Sequence, residues 1–147
     1  MDRETIEISV DASLKAVRLL AAACQGIFAA WGVSGDRRTT LELALVEAAT
    51  NAVRHAYRDL PPGPVAVRLL KHGTRLTMTV VDRGKAFDPA AIPPKPDPDP
   101  DDPSTWPEGG MGLGIIRAAA DQVEYASEAG ENRLSILIDL PELRGGS

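Results

Sequence analysis

Apolar and polar residues alternate through Thr5–Val10 (TIEISV), which predicts a short strand with Ile6, Ile8 and Val10 on one face. The period then lengthens. Leu14, Val17, Leu20, Ala21, Cys24, Ile27, Phe28 and Trp31 recur every three or four positions, with Lys15, Arg18 and Gln25 opposite, so an amphipathic helix with Asp11 as its N-cap is expected. The glycines of WGVSGD break it, Asp36 can cap a second helix that runs to about Arg58, and PPGP at Pro61–Pro64 is a hard stop. Two strands follow, Val65–Lys71 and Arg75–Asp82, joined by HGT in a hairpin-like turn. Periodicity next returns at GGMGLGIIRAAADQ, a glycine-rich turn opening a short helix with Leu113, Ile116, Ala119 and Ala120 inward. Strands Val123–Ser127 and Arg133–Leu140 then meet across EAGEN; Pro141 is expected to end the structured part, and the final RGGS reads as frayed. Such a count is α+β, best satisfied by a two-layer sandwich with one sheet and all helices on one face.

A chain of 147 residues has room for one domain, 1–147, with a full core, and 44% apolar with 25% charged residues is ordinary for a soluble globule. A net charge of -5 with scattered basic residues leaves no footprint for nucleic acid. No apolar run reaches membrane-spanning length and the first ten residues do not resemble a signal peptide, so a cytoplasmic protein without membrane contact is expected. The single Cys24 sits on an apolar stripe and reads as a small core residue. Composition shifts sharply between Lys85 and Glu108, where eight prolines fall from Pro89 to Pro107 and acidic residues outnumber Lys85 and Lys95. Proline and charge deny this segment a core. A lid at about 88–109, a binding loop and a solvated polyproline-like spacer all fit, with Trp106 available as an anchor.

Three stretches carry candidate chemistry. In LELALVEAATNAVRHAY (Leu41–Tyr57), Glu47, Asn51 and His55 fall within ~80° of helix surface. Leu41, Leu45, Ala48, Ala52 and Ala56 form the adjoining apolar stripe. A carboxylate can take a proton, an amide oxygen can ligate Mg²⁺, and imidazole can do either or simply hydrogen-bond; a solvated Glu and a capping His fit the same pattern. Asp82-Arg83-Gly84 at a strand end can accept a hydrogen bond from an exocyclic amine while glycine admits a flat base, or it is an ordinary turn. GGMGLG before a helix can offer backbone N–H groups to phosphate oxygens, although tight turns use glycine too.

In this order, E-x3-N-x3-H, D-x-G-x2-FD and GGxGLG resemble the N box and two glycine boxes of the GHKL ATPase superfamily, which includes gyrase, a heat-shock chaperone, histidine kinases and mismatch-repair ATPases. The resemblance extends from about Ile6 to Leu140 and is closer to the single-domain bacterial anti-sigma factor serine/threonine kinases. It implies a Bergerat-type ATP-binding fold with a mixed, mostly antiparallel sheet and a long ATP lid. Asn51 would ligate Mg²⁺ and Glu47 would be the base toward a substrate hydroxyl. Asp82 would hold the adenine amine, with Gly84 and Phe87 beside the base. Gly110, Met111, Gly112, Leu113 and Gly114 would lie at the phosphates, with Arg54 and His55 in supporting roles.

The implied activity is phosphorylation of a Ser or Thr on an anti-anti-sigma (STAS-type) antagonist, together with sequestration of a sigma factor by a homodimer, in transcription regulation of stress response or sporulation. Two other outputs remain open: a nucleotide-responsive binding regulator without phosphotransfer, and an ATPase domain of a larger regulator. A retained Glu47 favours the kinase, since nucleotide binding alone requires no base there. The chain departs from the pattern in offering only Lys95 well inside the lid and in carrying Glu108 where some relatives have a basic residue. It shows no phosphoacceptor histidine helix, which disfavours a two-component kinase.

Overall fold

The computed structural model describes residues 3–88 and 113–143. Among these, β1 (Arg3–Asp11), β2 (Pro64–His72), β3 (Arg75–Asp82), β4 (Gln122–Glu128) and β5 (Glu131–Asp139) form one sheet in the order β1-β2-β3-β5-β4. All four neighbouring pairs are antiparallel, in keeping with the mostly antiparallel sheet expected, and no parallel pair occurs among the described residues. Helices α1 (Leu14–Ala30), α2 (Gly35–Asn51) and α3 (Leu113–Ala119) pack on one face. The expected lid with Lys95, Trp106 and Glu108, as well as Gly110, Met111, Gly112 and the terminal RGGS, lies outside the described residues.

Strand alternation sorts the side chains as the pattern requires. Val65, Val67, Leu69, Leu76, Met78, Val80, Leu134, Ile136 and Ile138 point inward and join Leu20, Cys24, Phe28, Leu41, Leu45 and Ile116 in one core. Burial drives the Cys24 thiol up to about 11, so it stays protonated as a small apolar group. The other face is polar: Arg68 pairs with Glu7 and Glu131, and Thr79 meets Ser135 at 2.9 Å. At the β1 edge, buried Lys71 pairs with Glu4 at 3.3 Å and lies 5.9 Å from the centre of the Trp31 ring.

Several boundaries differ from expectation. Ser13, not Asp11, caps α1 by accepting from the Ala16 N–H, because Asp11 is still paired in β1. Leu14, placed on the apolar stripe by periodicity, is exposed at the helix start. Ser34 occupies the N-cap of α2, and Asp36 falls in the first turn, where it complements the helix dipole. The chain also stays ordered past Pro141: Leu143 is fully buried and Glu142 accepts from the Ser34 N–H.

The largest departure is at the end of the second helix. Its α portion stops at Asn51, and Ala52–Ala56 forms a π turn that closes with the Tyr57 N–H on the Ala52 carbonyl. Wider winding lets the chain end settle onto the loop after β3, where the Lys85 N–H donates to the Ala56 carbonyl at 2.6 Å. A Cβ at residue 84 would overlap that same carbonyl, so only glycine fits.

Glycine at two positions therefore predicts opposite outcomes. Gly84→Ala should cost roughly 1 to 3 kcal/mol or more, since the clash is with rigid backbone. Gly26→Ala, exposed inside α1 with nothing near the new methyl, should gain up to about 1 kcal/mol. Denaturant melts of both variants check this; equal shifts of one sign would contradict the packing described.

Candidate functional site

Between α2, the π turn, the loop after β3 and the edge of α3 lies a cavity of about 350 Å³. Its floor is apolar, from Ala52, Val80, Leu113 and Leu134, and one wall is the Phe87–Tyr125 pair, with ring centroids 4.0 Å apart and planes tilted 38°. Polar groups reach it at few points. Asn51 and His55 come from the helix end, Asp82 from the end of β3, and the exposed cations Arg58 and Lys85 from the two loops. Volume and lining suit a flat heteroaromatic ligand with a charged appendage.

Asp82 is the fixed point. Continuing the inward register of β3 (Leu76, Met78, Val80), it sits beside Asn132 of β5, which in turn pairs with Ser127 of β4. Three polar residues thus end three otherwise apolar rows. Asp82 Oδ1 accepts from the Gly84 N–H at 2.9 Å and from Asn132 Nδ2 at 2.7 Å. Nδ2 also donates to the Gly84 carbonyl at 2.8 Å, and the Ser127 hydroxyl donates to Asn132 Oδ1 at 2.6 Å. Burial raises the Asp82 carboxyl above the usual carboxylate range, and the donors from Asn132 and Gly84 pull it partly back.

Tyr57 ties the loops together. Buried after the π turn, its hydroxyl donates to the Pro64 carbonyl at 2.6 Å and accepts from the Arg83 N–H at 2.8 Å, bridging the start of β2 and the end of β3. Arg58 lies 3.1 Å from His55 Nδ1, and because guanidinium only donates, Nδ1 is the acceptor and the imidazole proton sits on Nε2. Tyr125 accepts from the Phe87 N–H at 3.2 Å, fixing the aromatic wall.

Of the residues singled out in the sequence, Asn51, His55, Asp82, Phe87 and Leu113 come together around the cavity. Glu47 is half-buried one turn before Asn51 and does not line the cavity. Arg54 turns into a separate groove between α1 and α2, beside Leu14 and Arg18. Gly84 admits the Ala56 carbonyl, and Gly114 is buried in α3. Sequence reading missed Tyr57, Lys85, Tyr125, Ser127 and Asn132. For three of them the signal was available: Tyr125, Ser127 and Asn132 carry polar groups at apolar parity in their strands.

Residues 10–138 match the family model described as "Histidine kinase-like ATPase domain". The serine-protein kinase RsbW of Bacillus velezensis is 33% identical over 129 residues, covering 85% of this chain and 79% of the relative. RsbW of Bacillus subtilis is 32% identical with the same coverage, and RsbW of Staphylococcus epidermidis is 30% identical over 131 residues, covering 87% and 82%. A crystal structure of the RsbU and RsbW domains of a Mycobacterium tuberculosis protein superposes with a TM-score of 0.65 at 20% identity. That match covers 93% of this chain and 32% of the other, and it supports the fold.

A half-buried carboxylate with a raised pKa carries a stability consequence. The folded state holds the Asp82 proton more tightly than the unfolded chain does, so its contribution to stability falls as pH rises from the unfolded to the folded pKa. Asp82→Asn keeps the shape and an acceptor for both donors. Without nucleotide it should melt higher than the wild type at neutral pH, with the advantage fading on acidification. Denaturant melts at both pH values check this, and a variant less stable at neutral pH would contradict it.

Proposed function

Because the chain belongs to the histidine kinase-like ATPase domain family, in the branch of the RsbW serine-protein kinases, we propose that it is an ATP-dependent protein serine/threonine kinase acting on a small anti-anti-sigma antagonist and capturing a sigma factor. The observation that carries the nucleotide part is the meeting of Asn51 and Asp82 across one apolar cavity. The partner part rests on the relatives.

The residues present fit ATP with Mg²⁺. An apolar floor and an aromatic wall accept a purine, and a half-buried carboxylate offers an acceptor to its amine. Arg58, Lys85 and the Nε2–H of His55 supply positive charge and a donor for phosphate oxygens. No cluster of three His, Cys, Asp or Glu capable of holding a metal occurs among the described residues, so Mg²⁺ would be held by the Asn51 amide oxygen together with phosphate and water, a usual arrangement for this ion. When bound, ATP supplies the phosphoryl group and Mg²⁺ shields its charge. Glu47, one turn before Asn51, takes the proton of the incoming Ser or Thr hydroxyl.

Two substitutions one helical turn apart separate the kinase from a nucleotide-responsive binding module. Glu47→Gln should bind ATP-Mg²⁺ nearly as the wild type does yet transfer phosphate roughly a hundredfold more slowly or worse. Asn51→Ala should weaken Mg²⁺-dependent nucleotide binding itself. Nucleotide affinity with and without Mg²⁺, and phosphate transfer to candidate antagonists, are the measurements. Transfer by Glu47→Gln at the wild-type rate would remove Glu47 as the base; a wild type that binds ATP but phosphorylates no antagonist would favour the binding module.

A further inference from the structure

Asn132 is almost fully buried, with 3% of its surface exposed, and its side-chain orientation is dictated by chemistry. Asp82 Oδ1 and the Gly84 carbonyl can only accept, so the amide nitrogen must face them, leaving the amide oxygen for the Ser127 hydroxyl. Both amide protons are thereby used. Asn132 has no donor left for a ligand and can act on one only through Asp82.

The two acceptor sites of Asp82 Oδ1 are filled as well, by Asn132 and the Gly84 N–H, while among the described residues none donates to Oδ2. We infer that Asn132, with Ser127 behind it, is a positioning residue that saturates one oxygen of Asp82 and presents the other as the single acceptor for the exocyclic amine of a purine. This rests on the ATP-binding reading above. The three residues are neighbours in register on β3, β5 and β4, so the Asn132 side chain reaches the carboxylate from a position fixed by the sheet, beside the Gly84 N–H of the loop. Loss of Asn132 would free Oδ1 to compete and let the carboxyl rotate; the amine's contribution would fall, while contacts to the ring and phosphates would stay.

The test compares ATP with purine riboside triphosphate, which lacks only the amine, by equilibrium binding to the full chain with Mg²⁺. Wild type should prefer ATP by roughly tenfold or more. Asn132→Ala should cut that preference to about twofold or less while leaving the amine-free nucleotide's affinity within about twofold of wild type. Ser127→Ala, which keeps the amide but removes its anchor, should fall between. In an Asp82→Asn background, Asn132→Ala should change the preference no further.

A wild-type ratio in Asn132→Ala, or equal weakening of both nucleotides, would overturn the assignment; the second result would make Asn132 merely structural. Should Asn132→Ala fail to fold in a thermal melt, Ser127→Ala decides, and an unchanged ratio there overturns the assignment. A wild type that binds ATP without regard to the amine overturns this inference and leaves ATP binding standing. A wild type that binds neither nucleotide overturns both.

Discussion

One half-buried carboxylate organises the upper end of this fold. An ionised group in apolar surroundings is costly unless donors reach it, and Asp82 receives two, from Asn132 and the Gly84 backbone. Supplying them requires β5 to lie beside β3, although the two strands are separated in sequence by the whole α3–β4 unit. It also requires the loop after β3 to turn sharply back. The Asp82 carboxyl remains above the usual carboxylate range even so, because burial outweighs the two donors.

The loop is held from the other side by the helix end. A π turn over Ala52–Ala56 brings the Ala56 carbonyl onto Lys85 N–H, and the missing side chain at Gly84 makes room for it. Tyr57 then bridges the start of β2 and the end of β3 with a single hydroxyl. Asn51 at the end of α2, His55 in the π turn, Asp82 at the end of β3 and Phe87 in the loop beyond it are thereby brought together around the cavity. A polar site built on a helix and a sheet can hold its groups more precisely than one built on loops.

Much of this was legible in the chain. Period-two and period-3.6 patterns located the five strands and three helices found among the described residues because each of these elements has one buried face. The spacing of Glu47, Asn51 and His55 marked the helix that faces the cavity. Propensity did not reveal where winding changes: Ala52–Ala56 reads as ordinary helix, and the π turn falls where Ala56 meets the Gly84 loop, a contact between segments distant in sequence. A strand taken to begin at Arg133 leaves Asn132 in the EAGEN turn, whereas β5 begins at Glu131. Counting parity back from Ile138, Ile136 and Leu134 puts it on the buried face, opposite Asp82. Arg54, given a supporting role by the resemblance, lines the groove beside α1 instead, since a helix sends adjacent residues to different faces.

The central claim is that this cavity reads a nucleotide through Asp82 and holds its metal through Asn51. A crystal structure of the chain with a non-hydrolysable ATP analogue and Mg²⁺ addresses it most directly. The account predicts the base between the Phe87–Tyr125 wall and the apolar floor, its amine on Asp82 Oδ2, and the metal on the Asn51 amide oxygen. A nucleotide bound with its amine turned away from Asp82, or outside the cavity altogether, would contradict it.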